Sequence, residues 1–218
     1  MAIEIPYEGS LNAFAMIVDI NGFTRMVMRA QGRGVALYVH DVLTSGVRAV
    51  ESQRGHVVGF MGDAFLALLS TADEVFSACV TIAKSIDRQC QYIAGRRQRD
   101  HDLWHYSPGG PSLKIAIEYG SIDVTRIGSA SIGDQPLLIG APINYASRIA
   151  RAGEGNRCLF GPAAAAAGLS KWGHEGPETL VGKGGEPPYT YYHLSMRDIW
   201  QEGERVEGEQ TFQGPTAV

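Results

Sequence analysis

The chain has 218 residues, of which 44% are hydrophobic and 19% are charged, with a formal net charge of −4. This composition is typical of one globular domain with a substantial core, and it lacks the basic surplus expected of a nucleic-acid-binding protein. No apolar run approaches the roughly 20 residues that cross a bilayer, and the N-terminus does not resemble a secretory signal. Three widely spaced cysteines, Cys79, Cys90 and Cys158, indicate buried reduced thiols. We therefore expect a cytoplasmic protein that binds neither membrane nor nucleic acid.

The first half of the chain alternates between short apolar runs, typical of buried strands, and longer amphipathic patterns, typical of helices. The predicted strands are residues 14–19, 56–60 and 64–69. The predicted helices begin at residue 23, at residue 35 (ending near 52) and at residue 72 (ending near 92). Met61-Gly62-Asp63 separates the second and third strands, and it has the composition of a tight hairpin turn.

The second half begins with a charged, turn-rich segment, residues 95–111, which is predicted to be an exposed loop. Further strands are predicted at 113–119, 158–160 and 189–194, and helices at 142–152 and 163–167. Residues 120–136 are predicted to be an irregular arm or a pair of short strands. A single domain, 1–196, is followed by a polar, loosely held tail, 197–218. This order of elements predicts an antiparallel-rich α+β sandwich with a ferredoxin-like split βαβ core and helices packed on its sheet.

Two aspartates occupy special positions in this arrangement. Asp19 ends the first predicted strand, and Asp63 lies in the hairpin turn. In a split βαβ core the first strand runs antiparallel to the strand that leaves the hairpin, so both carboxylates meet at one edge of the sheet. A divalent cation is the usual way to keep two close carboxylates ionised, and oxygen ligands favour Mg²⁺ or Mn²⁺ over zinc. Each aspartate is also explained separately as a turn residue, so position alone leaves both interpretations open.

The segment after Asp19, residues 20–24, reads INGFT and connects the first strand to a helix. Unpaired backbone N–H groups at such a junction can bind phosphate oxygens. Glycine turns of this kind are common, so the pattern by itself is weak support for a phosphate site.

Five segments resemble, in the same order, the catalytic domain of class III adenylate and guanylate cyclases. They are AMIVDINGFT at 15–24, MGDAFLA at 61–67, KIAIEYG at 114–120, IGAPINYASRI at 139–149 and VGKGGEPPYTYY at 181–192. The resemblance extends over about residues 14–194. It implies the α+β fold of that family and the conversion of a nucleoside triphosphate into a 3′,5′-cyclic monophosphate and pyrophosphate.

The resemblance also implies a role for each matching residue. Asp19 and Asp63, with the backbone carbonyl of Ile20, would bind two divalent metal ions, Mn²⁺ or Mg²⁺. One ion would activate the ribose 3′-hydroxyl, and the other would neutralise the departing pyrophosphate. Asn144 would orient the ribose, and Arg148 would stabilise the charge that develops on the α-phosphate. Without the resemblance, these last two side chains, four residues apart on one helix face, would be interpreted as an ordinary surface pair.

The remaining substrate contacts implied by the resemblance lie in the turn after the first strand and in the closing segment. They are Asn21, Gly22, Phe23, Thr24 and Lys183, the last in a segment that is one residue out of step with the family pattern. In this family the metal ligands come from one chain of a head-to-tail dimer, and the Asn and Arg come from the other. Because this chain carries both sets, the resemblance implies a homodimer with two composite sites.

Two positions depart from the purine cyclases of the family. Those enzymes recognise the base through two polar side chains. At the corresponding positions this chain has Gly59 and Leu137. Loss of both partners changes specificity rather than merely weakening binding. Three interpretations remain: a pyrimidine cyclase, like the compact bacterial uridylate and cytidylate cyclases of anti-phage signalling; an adenylate cyclase that reads adenine through backbone groups; or a non-catalytic nucleotide-binding module. We favour the first, with UTP ahead of CTP.

Overall fold

The computed structural model describes residues 3–29, 33–99, 112–131, 133–182 and 184–211. Within these ranges eight strands form one sheet. They are β1 (Gly9–Ile20), β2 (His56–Met61), β3 (Ala64–Leu69), β4 (Leu113–Ser129), β5 (Gly133–Ile139), β6 (Arg157–Phe160), β7 (Glu175–Leu180) and β8 (Tyr189–Ser195). The helices are α1 (Phe23–Arg29), α2 (Arg33–Ser52), α3 (Ala72–Arg99), α4 (Ala141–Ile149), α5 (Pro162–Ala166) and α6 (Met196–Thr211), with a 3₁₀ turn at Leu169–Trp172.

The sheet is predominantly antiparallel. Its strand order is β2-β3-β1-β4-β6-β8-β7, and β5 pairs with the far end of β4. β1 pairs antiparallel with both β3 and β4, whereas β4 and β6 run parallel. This architecture confirms the predicted α+β fold with an antiparallel-rich sheet and helices packed on it.

The two faces of β1 bury different layers because successive side chains of a strand point to opposite faces. Phe14, Met16 and Val18 belong to the large core that α2 and α3 cover. Ala13, Ala15 and Ile17 face the other way, and they share a smaller core with Ala146 of α4. Asp19 follows on this second face, where its side chain remains 25% exposed. The register of β1 therefore directs its terminal carboxylate to the less covered side of the sheet.

Of the two alternatives predicted for residues 120–136, the structure confirms a pair of strands rather than an irregular arm, and these strands are longer than expected. β4 continues to Ser129, and β5 returns beside it from Gly133 to Ile139. Ile122 and Val124 are buried while Ser121, Asp123 and Thr125 are exposed, so the period-two pattern of a half-buried strand continues through this segment. The glycines and polar residues hid that pattern from sequence interpretation.

The predicted elements were wrong in two other places. Helix α3 extends to Arg99, so residues 95–99 are helical rather than part of an exposed loop. Residues 100–111, the rest of that predicted loop, lie outside the described residues. Strand β7, EGPETL, was not predicted, since five of its six residues are exposed and its composition is that of a loop.

The tail is held more firmly than its composition suggested. Residues 196–211 form α6, and Ile199 on this helix is 1% exposed. Gly203 lies so close to α3 that a Cβ atom there would come within 2.6 Å of Val80. The expectation of a loosely held tail is therefore wrong for residues 197–211, while the domain boundary at 196 stays a prediction.

A buried carboxylate connects the centre of the sheet to α5. Glu118 of β4 is 5% exposed. Its Oε1 accepts hydrogen bonds from the backbone N–H groups of Tyr119, at 2.9 Å, and Ala164, at 2.6 Å. Burial raises the pKa of Glu118, and the hydrogen bonds from these N–H groups oppose that rise. Gly161 is required beside it, because a Cβ atom there would overlap the carboxylate.

The prediction of buried thiols is confirmed for Cys79 and Cys158, while the side chain of Cys90 lies outside the described part of the chain. Cys79 and Cys158 are free, and their Sγ atoms lie 4.0 Å apart between α3 and β6. Within the described part of the chain, no helix combines the length and the apolar character needed to span a bilayer.

Candidate active site

The two predicted aspartates lie side by side at the edge of the sheet. Asp19 pairs in register with Ala64, the residue that follows Asp63. The backbone N–H of Ile20 donates to the carbonyl oxygen of Asp63 at 3.1 Å, which ties the end of β1 to the hairpin turn. The antiparallel geometry expected from the sequence therefore brings these residues together.

Burial and a neighbouring carboxylate disfavour the ionised form of Asp63. Its pKa is raised, first by partial burial and next by the negative charge of Asp19, while a hydrogen bond to its own backbone N–H and the positive charge of Lys114 oppose this rise. The arrangement thus favours either a proton or a cation at this position.

Lys114 is the cationic partner of the pair. Its Nζ lies 3.0 Å from Oδ2 of Asp19, and its side chain is only 15% exposed. The two residues are opposite each other in the β1–β4 register, so both side chains lie on one face of the sheet. Sequence interpretation missed Lys114. The signal available was a charged residue at an alternating position of an otherwise apolar strand, KIAIEYG.

These residues fit a divalent cation that binds together with its substrate. The donor set consists of oxygens, from Asp19, Asp63 and the nearby carbonyl of Ile20, which suits Mg²⁺ or Mn²⁺. Among the described residues, no group of three or more His, Cys, Asp and Glu side chains could hold a metal ion. Mg²⁺ is commonly bound through one or two carboxylates, with phosphate and water completing its shell, and this sparse set matches that mode.

The turn after β1 is partly occupied by internal hydrogen bonds. The backbone N–H of Asn21 donates to the carbonyl of Ser112 at 2.8 Å, so it is not available to a phosphate in this arrangement. The side-chain amide of Asn21 lies 3.4 Å from the Ser112 hydroxyl. The predicted phosphate contacts are therefore better placed at Gly22, Phe23 and Thr24, where α1 begins.

Gly59 lies on the same face as the carboxylates. It pairs with Leu66, and Leu66 pairs with Ile17, two residues before Asp19. The register shifts between Val57 and Gly59, so the backbone beside Gly59 leaves the regular ladder. A Cβ atom at Gly59 would meet nothing within 4 Å. Packing therefore does not require glycine here, and the missing side chain leaves open space beside the carboxylates.

Asn144 and Arg148 lie on α4, which begins at Ala141 with Pro142 in its first turn as predicted. Asn144 is exposed, and the guanidinium of Arg148 pairs with Glu186 in the loop between β7 and β8. Sequence interpretation did not identify this contact. Lys183, in the same loop, lies outside the described residues.

Comparison with solved structures identifies the fold. A guanylyl cyclase, Cya2, superposes with a TM-score of 0.68 at 20% sequence identity, over 86% of this chain and 93% of its own. The adenylyl cyclase CyaB from P. aeruginosa gives 0.65 at 17% identity, over 85% and 95%. The guanylate cyclase domain of RhGC from Catenaria anguillulae, solved in complex with GTP, gives 0.66 at 15% identity, over 87% and 97%.

The fold is that of a class III nucleotidyl cyclase domain. No protein-family model matches the sequence, and no curated protein matches it. At these identities the likeness concerns the backbone, so the site has to be argued from its own residues.

In this fold Asp19 and Leu137 lie at distant parts of one chain. Lys114, beside Asp19, and Thr125, beside Leu137, are both on β4. Eleven residues separate them, or about 35 Å at roughly 3.3 Å per residue. Leu137 therefore cannot contact a small molecule that is bound at Asp19 of the same chain.

Removal of the Asp63 charge should stabilise the metal-free cyclase fold. Asp63→Asn relieves the repulsion from Asp19, and we expect a rise in Tm of about 1–3 °C at pH 7 in EDTA, since a partly exposed charge contributes less than about 1 kcal/mol. Because the pKa of Asp63 is raised in the folded state, the Asp63 charge destabilises the wild-type protein above that pKa. This destabilisation disappears as the pH falls through that pKa. Thermal unfolding at pH 7 and pH 4 measures both effects.

Asp19→Asn is the matched control, because it relieves the same repulsion but breaks the Lys114 ion pair. The Tm of Asp19→Asn in EDTA should rise by less than that of Asp63→Asn. Added Mn²⁺ should raise the Tm of wild type and leave that of Asp63→Asn nearly unchanged. A lower Tm for Asp63→Asn in EDTA would contradict the electrostatic account.

Proposed function

We propose that this protein is a nucleotidyl cyclase that converts a nucleoside triphosphate into a 3′,5′-cyclic monophosphate and pyrophosphate. The observation that carries the proposal is the adjacent pair Asp19 and Asp63, on a class III cyclase fold, at the end of β1 and in the β2–β3 turn. Asn144 and Arg148, on one face of α4, supply the second half of the chemistry.

The reaction needs a nucleophile, a neutralised triphosphate and a donor for developing charge. The ribose 3′-hydroxyl loses its proton to solvent, its oxygen attacks the α-phosphorus, the bond from the α-phosphorus to the oxygen that bridges to the β-phosphate breaks, and pyrophosphate leaves with the electron pair. Two divalent ions, held by Asp19, Asp63 and the Ile20 carbonyl, would lower the pKa of the 3′-hydroxyl and neutralise phosphate charge when bound. Arg148 donates to the α-phosphate oxygens, whose charge grows during attack, and Asn144 fixes the ribose.

The proposed site is shared between two copies of the chain. The separation of about 35 Å along β4 prevents Asp19 and Leu137 of one chain from reaching one nucleotide. Ile127, Leu137 and Ile139 lie on one face of the β4–β5 arm, and they are 52%, 40% and 56% exposed. An exposed apolar stripe of this kind is typical of a partner surface. A head-to-tail homodimer would cover it and would place the arm of one copy at the carboxylates of the other.

We propose a pyrimidine nucleotide, UTP ahead of CTP, as the substrate. The open space at Gly59 and the apolar side chain at Leu137 provide no polar group for a purine edge. The irregular backbone beside Gly59 can offer peptide groups to a base instead. The resemblance to the bacterial pyrimidine cyclases also implies a signalling role in defence against phage, which we propose here. An adenylate cyclase that reads adenine through the same backbone is the alternative.

Product formation tests the proposed function. Purified protein with Mn²⁺ should form cyclic nucleotide and pyrophosphate from one of ATP, GTP, CTP and UTP supplied separately, with UTP the preferred substrate. Arg148→Ala should lower kcat by about 100-fold or more, by analogy with removal of one transition-state donor, and Asp63→Ala should abolish turnover. Chromatography of the products measures the yield. Formation of no cyclic product from any of the four would indicate a non-catalytic binding module.

Mixing two inactive variants tests the shared site. Asp63→Ala retains Arg148, and Arg148→Ala retains Asp63, so a mixed dimer contains one intact site. Random exchange of equal amounts should restore about a quarter of wild-type activity, because half of the dimers are mixed and each has one of its two sites intact. Remixing Asp63→Ala with Asp19→Ala is the control, since both variants damage the same half. Equal recovery in both mixtures, or recovery in neither, would contradict a composite site.

A carboxylate at position 59 should change the choice of base. Gly59→Glu has space for its side chain, and it can accept hydrogen bonds from guanine N1–H and N2–H₂ while repelling the two carbonyl oxygens of uracil. We expect the GTP-to-UTP ratio of kcat/KM to rise by about tenfold or more. Phe60→Glu is the matched control. It adds the same charge to the same strand at an exposed position on the opposite face. An equal shift in both variants would mean that Gly59 does not contact the base.

A further inference from the structure

Arg148 is already bound to an anion of its own chain. Its Nη2 donates to Oε1 of Glu186 at 2.5 Å, and the two side chains are 26% and 31% exposed. Glu186 lies in the loop between β7 and β8, outside every role assigned above. A guanidinium whose charge is balanced by a carboxylate attracts a phosphate less strongly than a free one does. The pair therefore bears directly on what Arg148 can do.

Glu186 is the fixed member of the pair. Its second oxygen, Oε2, accepts a hydrogen bond from the hydroxyl of Tyr189 at 3.3 Å. Tyr189 is 7% exposed, and its ring packs edge-on against Tyr145 of α4 at a centroid distance of 5.0 Å. The loop folds tightly behind the carboxylate, since a Cβ atom at Gly182 would lie 2.5 Å from the Glu186 carbonyl oxygen. A change of partner would therefore move Arg148, whose side chain is long and flexible.

Arg148 is incompletely satisfied in this arrangement. Its Nε is buried, and it has no hydrogen-bond partner among the described residues. An unpaired buried donor is unfavourable, and buried polar groups are paired in most native structures. Phosphate is well suited to satisfy it, because two N–H groups of a guanidinium can bind two phosphate oxygens together. The contact with Glu186 thus leaves hydrogen-bonding capacity of Arg148 that a phosphate would use.

We propose that Glu186 competes with the substrate phosphate for Arg148. In the empty site Glu186 holds the guanidinium, and on binding of the triphosphate Arg148 rotates away and exchanges the carboxylate for oxygens of the α-phosphate. Glu186 thereby sets the affinity of Arg148 for anions, and it prevents weakly binding anions from occupying Arg148. This inference rests on the proposed cyclase function, because it takes Arg148 to be the residue that contacts the phosphate.

Glu186→Gln tests the exchange, because it removes the competing charge and keeps the shape of the side chain. The probes are 3′-deoxy-UTP and 3′-deoxy-ATP with Mn²⁺, which lack the attacking hydroxyl and report binding without turnover. Relative to wild type, the variant should bind the analogue that wild type prefers about two- to fivefold more tightly, the range expected for release of a partly exposed ion pair. Calorimetry or fluorescence titration gives the dissociation constants.

Two further variants make the measurement specific. Glu178→Gln removes a carboxylate that pairs with His193 at 2.9 Å on the neighbouring strands and has no role in the proposed chemistry, so its affinity should match that of wild type. In an Arg148→Gln background, Glu186→Gln should no longer tighten binding, because the residue that it competes for is absent.

Three results would overturn the proposal: unchanged affinity in Glu186→Gln, weaker affinity, or no binding of either analogue to wild type and variant. Weaker affinity would show that Glu186 orients Arg148 for the substrate. The binding assay also separates this proposal from the cyclase assignment. If wild type binds an analogue but forms no cyclic product from the corresponding ribonucleotide, the assignment fails while the competition is still measured.

Discussion

The antiparallel pairing of β1 with both β3 and β4 is the constraint on which the rest of the site depends. Asp19 lies between Ala64 on one side and Lys114 on the other, so a single register fixes the distance to Asp63 and the position of the ammonium group. A slip of one residue would move every side chain of β1 to the opposite face. The alternation of large and small apolar residues along this strand prevents such a slip, because the two faces bury cores of different depth.

The charges of the candidate site destabilise the folded protein. Two carboxylates at one sheet edge repel each other, and Lys114 compensates for only one of the two charges. Arg148, on α4, has a buried Nε–H without a partner among the described residues. The proposed substrate, a metal-bound triphosphate, would relieve both features, because it would bring cations to the carboxylates and oxygens to the guanidinium. Unfavourable electrostatics at a candidate site beside a well-packed core are typical of a binding surface.

Much of the fold and part of the site could be predicted from sequence, for identifiable physical reasons. Strands whose apolar residues form an uninterrupted run, such as FAMIVD, and helices with a clear stripe are determined locally. Asp19 and Asp63 could be brought together because a hairpin leaves few choices of pairing. Lys114 was indicated only as a charged residue in an apolar strand, and Glu186 was not indicated at all, since the importance of both arises from cross-strand and loop contacts. The outer strand β7 and helix α6 were missed because polar residues dominate them, and a few buried contacts decide their structure.

The length of β4 has a genetic consequence. In the dimer that we propose, the length of β4 places Asp19 and Leu137 of one chain in different sites, so each site draws on both gene products. A copy that has lost only one half leaves one working site in a mixed dimer with a normal copy. A copy that has lost both halves leaves none, and it would therefore act as a dominant inhibitor of its normal partner. The separation of Asp19 and Leu137 along a single strand thus determines which alleles of this gene complement one another and which are dominant negative.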